Sequence, residues 1–230
     1  MSARENILAK LRRAAATPAA DPQTAAYYRE MTPHWDSETG RLKHWARAMR
    51  AVKTEIYWVR ADNWTQTLVR VLQEKKLRNI LLPLTTGHGR QAAGAVSAAG
   101  IEVKTFDQPI ENWKDRFFAD TDAGFTDARC GIAHTGTLML WPSEHQPRSM
   151  SLVPPVHICL FDTATMYDDF YSAMQGENMA AGMPANVVLV SGPSKTADIQ
   201  LTLAYGAHGP RDMVVLALLP EHIGEADLTE

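Results

Sequence analysis

The chain has 230 residues, 45% of them hydrophobic and 21% charged, with a formal net charge of -3. That length and apolar content suit one α/β domain with an appendage and a sizeable buried core, while the slight acidic excess and the lack of any dense Lys/Arg cluster exclude nucleic acid as a partner. Two cysteines, Cys130 and Cys159, are too few for a disulfide scaffold or for a four-thiolate iron–sulfur cluster within the chain, and a reducing cytoplasmic setting is expected.

The first twenty residues, MSARENILAKLRRAAATPAA, are interrupted by Glu5 and Asn6 and contain no continuous apolar run, which argues against a secretory signal or a membrane span. Ser2 and Glu5 form a capping box, and Ile7, Leu8 and Leu11 recur at helical spacing, so a short amphipathic helix is predicted to end by about Ala15. The segment TPAADPQTAA that follows reads as a tether. A second helix is predicted from near Ser37, with Leu42, Trp45, Ala46, Met49 and Val52 on one face. Residues 1–54 are accordingly taken as an N-terminal helical arm ahead of an α/β domain over residues 55–230.

From Glu55 short apolar runs alternate with helical stretches. Strands are predicted at Ile56–Val59, Ile80–Leu84 and Ile101–Phe106; helices are predicted from Asp62 (with Trp64, Leu68, Val71 and Leu72 on one face), over Gly89–Ala99 and around Trp113–Phe118. This is the rhythm of a parallel sheet. It breaks between Gly124 and Trp141, where the runs Ala128–Ala133 and Thr137–Trp141, separated by His134, Thr135 and Gly136, suit a tight hairpin or a bulged pair. A strand at Ile158–Phe161, a helix over about Ala164–Met174, a strand at Val187–Val190, a helix reaching about Tyr205 and a strand at Met213–Leu219 that closes the sheet complete the prediction.

The stretch Ala133–His157 is the densest in groups that do chemistry. Thr135, Gly136 and Thr137 open it, and Arg148, Ser149 and Ser151 lead into Pro154, Pro155 and His157. Arg148 lies in a polar loop between apolar strands, where its guanidinium can bind a carboxylate or phosphate in bidentate fashion or pair with Glu144. Further on, Ser191, Gly192, Ser194 and Thr196 supply hydroxyls and close backbone approach at the start of the predicted helix. Free N–H groups there favour an anion; the alternative is that Ser194, Thr196 or Asp198 only caps the helix. The turn Gly206-Ala207-His208-Gly209-Pro210 leaves His208 on a loop as a proton carrier, an anion partner or a plain surface histidine. Thr85–Arg90 repeats the strand, glycine loop and helix order, either as a second anion cradle or as a turn with a solvated Arg90. No intrinsic metal is expected, because His134, His145, His157 and His208 lack i, i+4 spacing and clustered acidic neighbours. A triad from Ser149, His157 or His208, and Asp198 has no Gly-x-Ser-x-Gly elbow to present its nucleophile. Cys130 and Cys159 sit in apolar runs and read as packing groups.

Four ordered stretches, Thr135–Leu140, Arg148–Ile158, Ser191–Ile199 and Gly206–Pro210, resemble the successive motifs of the LUD-domain family, in its lactate utilization protein C (LutC/YkgG) branch. The resemblance spans about Ala128–Leu219, with looser agreement back to Glu55. It implies a NagB/RpiA/CoA-transferase-like α/β fold, with a parallel-rich central sheet flanked by helices. It also implies a role in oxidising L-lactate to pyruvate beside iron–sulfur partner subunits of the LutA and LutB kind, with clusters only in those partners and no intrinsic cofactor. The expected site is a cleft for a small carboxylate or phosphate at the carboxyl ends of the parallel strands. His134, Arg148 and His208 are its catalytic candidates; Thr135, Gly136, Thr137, Ser149, His157, Ser191, Gly192, Ser194, Thr196, Asp198 and Gly209 are its binding candidates. Members usually carry an acidic residue before Thr-Gly-Thr, where His134 stands here; histidine moves protons but forms no acyl anhydride. The alternatives are a stand-alone acyl/CoA-transferase-like or cyclo-ligase-like enzyme, and a non-catalytic adaptor.

Overall fold

The computed structural model describes residues 2–13, 23–197 and 203–229; most of the predicted tether, and Asp198, lie outside these. Residues up to Thr32 form one compact unit and those from Pro33 another. In the first, α1 (Ala3–Arg13) starts with the expected reciprocal cap: the Ser2 amide donates to Glu5 Oε2 at 2.6 Å and the Glu5 amide to Ser2 Oγ at 3.3 Å. A second helix, α2 (Thr24–Met31), occupies the end of the predicted tether, where Ala25 and Ala26 are strong helix formers.

The second unit begins with α3 (Glu38–Ala51), whose N-cap Ser37 Oγ accepts from the Gly40 amide at 3.0 Å. This helix, grouped with the arm on sequence, buries Leu42, Trp45, Ala46 and Met49 in the same core as Phe161, Val215 and Ala217. Its apolar face has the large sheet as its partner. There follow β1 (Glu55–Val59), α4 (Trp64–Glu74), β2 (Asn79–Leu81), α5 (Gly87–Ala98), β3 (Glu102–Lys104), α6 (Lys114–Asp120) and β4 (Ala123–Asp127). Next come β5 (Cys130–Ile132), β6 (Thr137–Leu140), α7 (Ser149–Leu152), β7 (Val156–Asp162), β8 (Met166–Tyr167) and α8 (Phe170–Gly176). The chain ends through β9 (Val188–Val190), β10 (Lys195–Ala197), β11 (Leu203–Tyr205) and β12 (Asp212–Leu218).

Six strands pair in parallel in the order β1-β12-β7-β4-β2-β3. Both faces are covered, which explains the unbroken apolar runs of β7 and β12. Val156, Ile158 and Leu160 face the helices α4 and α5, with Val214 and Leu216 beside them. Cys159, Phe161, Met213, Val215 and Ala217 face α3 and the second sheet. That second sheet has the order β8-β5-β6-β9; β5 and β6 form the expected antiparallel hairpin.

Three elements differ from expectation. The predicted helix up to Tyr205 is instead the antiparallel pair β10 and β11, with Thr196 opposite Ala204. The Gly206 amide donates to the Ser194 carbonyl at 2.9 Å, so the ends of this segment are tied across rather than along the chain. The helix predicted from Ala164 begins only at Phe170, where Asp169 and Ser172 make a capping box; Thr163 and Thr165 turn their hydroxyls onto the carbonyls of Leu218 and Asp162. Finally, β9 leaves the large sheet, in which β12 lies between β1 and β7, and joins the small sheet by pairing with β6.

Trp45 is fully buried, contacts Phe161 at 5.1 Å between ring centroids and donates its indole N–H to the Thr137 carbonyl at 3.3 Å. Trp45→Ala is expected to lower the unfolding free energy by about 3–5 kcal/mol in a denaturant titration.

Candidate functional site

The β5–β6 turn carries the Thr-Gly-Thr motif. Gly136 is in the left-handed region at φ 58°, and a Cβ there would lie 2.5 Å from Ala48 Cβ, so only glycine lets the turn close onto α3. Beyond it, Thr135 Oγ1 lies 2.7 Å from Thr137 Oγ1, which lies 2.7 Å from Ser191 Oγ. The first and third motifs thus meet through a chain of hydroxyls. His134 is exposed on the rim of this turn; its carbonyl faces His44 Nε2 at 3.3 Å, and its side chain does not line the cleft described next.

The second, third and fourth motifs converge at Gly209. A Cβ there would lie 3.2 Å from Ser194 Cβ and 3.7 Å from the Leu152 carbonyl. Backbone bonds hold the loops together: the Ser194 amide donates to the Pro210 carbonyl at 2.8 Å, and the Arg211 amide to the Pro155 carbonyl at 2.8 Å. Between them lies a cleft of about 180 Å³ whose polar walls are Ser151, His157, Ser191, Ser194 and His208. Among the described residues no carboxylate lines it. Gly192, at φ 125°, lets the Ser191 loop turn against Val52, where any Cβ would come within 2.5 Å of Val52 Cγ2.

Its location corrects an expectation. The loops of Ser149–Pro155 and His208–Pro210 precede β7 and β12, so the cleft lies at the amino ends of those strands, not the carboxyl ends. With β10 in place of a helix, the Ser191 loop offers no helix N-terminus, and its donors are hydroxyls and isolated amides. Thr196 belongs to β10 and Ser149 to the first turn of α7, and neither lines the cleft.

His157 forms the floor. It is almost completely buried, its Nε2 lies 2.9 Å from Thr126 Oγ1, and burial pushes its pKa down to about 4. The imidazole is therefore neutral near pH 7. Cys130 and Cys159 are buried and their thiols are pushed up by desolvation, that of Cys130 to about 12, consistent with packing groups.

Arg148 is not in this cleft. It is exposed on the far side of α7, where Thr126, Asp127, Gln146 and Ser151 line a second hollow with it. Among the described residues no ion pair joins it to Glu144, whose Oε1 lies 3.6 Å from His145 Nε2. Ser151 is the one polar residue common to both hollows. Asp127 and Gln146 escaped sequence reasoning: Asp127 sits at the end of a short apolar strand and Gln146 among prolines, with no motif to mark either. Among the described residues no group of three or more His, Cys, Asp or Glu side chains is placed to hold a metal ion, and no helix is long and apolar enough to cross a membrane.

A parallel sheet covered on both faces, with a small hydroxyl- and imidazole-lined cleft at its amino end, defines an α/β protein. The LUD domain model matches residues 42–218, and the chain belongs to that family. An uncharacterized protein of Neisseria meningitidis serogroup B is 61% identical, covering 100% of this chain and 99% of its own. Lactate utilization protein C of Macrococcus caseolyticus is 26% identical over 69% of each chain, and that of Bacillus subtilis 31% identical over 39% of each. The crystal structure of a DUF162 family protein from Deinococcus radiodurans superposes with a TM-score of 0.59 at 18% identity, covering 80% of this chain and 99% of that one, and shows the same fold. The match begins within α3, in accord with the packing of that helix in the domain core.

Because His157 has a lower pKa folded, about 4, than unfolded, about 6.5, the unfolded chain binds the extra proton between these values. Its contribution to stability is complete above pH 6.5 and is lost as pH falls towards 4, by on the order of 3 kcal/mol. Urea titrations across this range are expected to show a shallower pH slope in His157→Gln than in the parent.

Proposed function

We propose that this protein is a lactate utilization protein C-like component of a cytoplasmic system that oxidises L-lactate to pyruvate, and that it binds a small carboxylate or phosphate in the cleft between the Ser191 and His208 loops. The observation that carries the reading is the convergence of three family motifs on Gly209, around a cleft whose hydroxyls and exposed imidazole suit an anion and which no carboxylate among the described residues lines. Family membership and the names of the 26–31% identical relatives supply the metabolic context.

Oxidising lactate releases two electrons. Two buried cysteines with raised pKa values are fewer than the thiolates a cluster takes, so the electrons pass to iron–sulfur partner subunits of the LutA and LutB kind, and this chain handles the ligand. A transferase running through an acyl anhydride fits less well, because the residue before Thr-Gly-Thr is His134 and no carboxylate among the described residues lines the cleft.

Calorimetric titration of the full chain with pyruvate and with inorganic phosphate is expected to show binding. Ser194→Ala and His208→Ala should each weaken it by about tenfold or more, as expected for a hydrogen bond to a charged ligand. Absence of binding by either anion, with undiminished growth on L-lactate of cells carrying only the double variant, would overturn the reading.

A further inference from the structure

The large sheet ends at β3, whose outer side pairs with no strand among the described residues. The direction of its free groups follows from its ladder with β2. The Glu102 amide donates to the Arg78 carbonyl at 3.1 Å, and the Lys104 carbonyl accepts from the Leu82 amide at 3.0 Å, so these two residues turn their backbone groups toward β2. In a parallel ladder the residue between them turns its N–H and C=O the other way. Val103 therefore presents one donor and one acceptor at the open edge, where unpaired groups are a template for a further strand.

The side chains divide between the two faces. Val103 packs against the core of α4 and α5, and alternation sends Glu102 and Lys104 to the other face, where Lys104 Nζ donates to the Asp120 carbonyl at 2.6 Å, at the end of α6. Nothing described covers this edge fully: Glu102 is exposed, and Val103 and Lys104 are half-buried. Beside it lies a groove of about 560 Å³ with Glu102, Val103, Lys104, Arg116 and Asp120 among its walls. The edge thus has room next to it and charges of both signs along it.

The sequence Glu102-Val103-Lys104 is complementary to itself under a two-fold rotation. When two copies of β3 lie antiparallel about an axis through the valines, each Val103 gives its N–H to the other's C=O, the hydrogen-bonded pair of an antiparallel ladder. Glu102 of one protomer then stands opposite Lys104 of its partner, and the reverse, on the same face and at the closer non-hydrogen-bonded positions. Moving the axis to residue 102 or 104 would set like charges face to face, so the charges admit one register. The other edge of the sheet has no such match: about Tyr57 of β1, Glu55 would face Val59.

We propose that β3 is a self-association edge and that its partner is a second copy of this chain. Two six-stranded sheets join through an antiparallel β3–β3 pair, held by the reciprocal Val103 backbone bonds and by two Glu102–Lys104 pairs over the groove. This goes beyond the anion cleft and does not depend on it, since the cleft is built on the loops before β7 and β12, inside the sheet.

The test is sedimentation equilibrium of the full chain, in which the parent is expected to show a concentration-dependent dimer. Val103→Pro deletes the outward N–H and leaves the bonds to β2, and should weaken the dimer by about tenfold or more. Glu102→Lys and Lys104→Glu, each tested alone, set like charges opposite one another and should weaken it as much. Mixing these two single variants makes every opposed pair of opposite sign again, so the mixture should associate about tenfold or more tightly than either variant alone. The chain carrying both exchanges should regain the parental dimer. These charge exchanges fall on exposed and half-buried side chains and decide the matter even where Val103→Pro fails to fold. A monomeric parent, an undiminished dimer in any single variant that folds, or charge variants that do not associate on mixing would each overturn the proposal. Glu102→Lys leaves the anion cleft in place, so its calorimetric response to pyruvate and phosphate is expected to match the parent, which separates failure of this edge from failure of the cleft.

Discussion

The close approach of α7 to β4 is the contact on which both hollows depend. Gly124 has no side chain, and the Met150 carbonyl lies where one would begin, 2.0 Å from the ideal Cβ position. Pro154 also crowds that position at 3.0 Å. With α7 pressed onto the sheet, Ser151 becomes the wall between the amino-end cleft and the carboxyl-end hollow, and the Arg148 and His157 ends of one motif are sent to opposite sides. A side chain at residue 124 would lift α7 and merge or collapse the two spaces.

Beneath that contact the sheet supplies rigidity. Both faces of β7 and β12 are buried, so neither strand can slip by one residue without exchanging the Val156, Ile158 and Leu160 set for the His157, Cys159 and Phe161 set. His157 is the polar member of the second set. It is accommodated because Thr126, on the neighbouring strand, supplies a hydroxyl within 2.9 Å.

Much of the fold was legible in the sequence, for stated reasons. The alternation of short apolar runs with amphipathic stretches located β1, β2, β3, α4 and α5, and the Thr-Gly-Thr turn located the β5–β6 hairpin. The segment 191–205 was misread because strands of three residues carry too little periodicity to be told from a helix, and their pairing is decided by tertiary contacts. For the same reason the carboxyl-end placement of the cleft failed: strand order, which puts β12 beside β7, is not written in local pattern. The motifs led to Ser191, Ser194, His208 and Gly209, which do come together. They gave no sign that Arg148 would stand apart, nor that Asp127 and Gln146 would join His88, since that set draws one side chain from each of three separate segments.

The insertion of β12 between β1 and β7 has a consequence for how the protein is made. Glu55 pairs in register with Val214, so β1, the first strand synthesised, finds its neighbour only when the last one has emerged. Until then β7 has a bare edge where β12 will lie, and the apolar face of α3 has half its floor missing. The nascent chain therefore carries an open β7 edge until β12 emerges and seals it in one late event, which makes the pairing of β12, more than any local helix, the step that commits the domain to its fold.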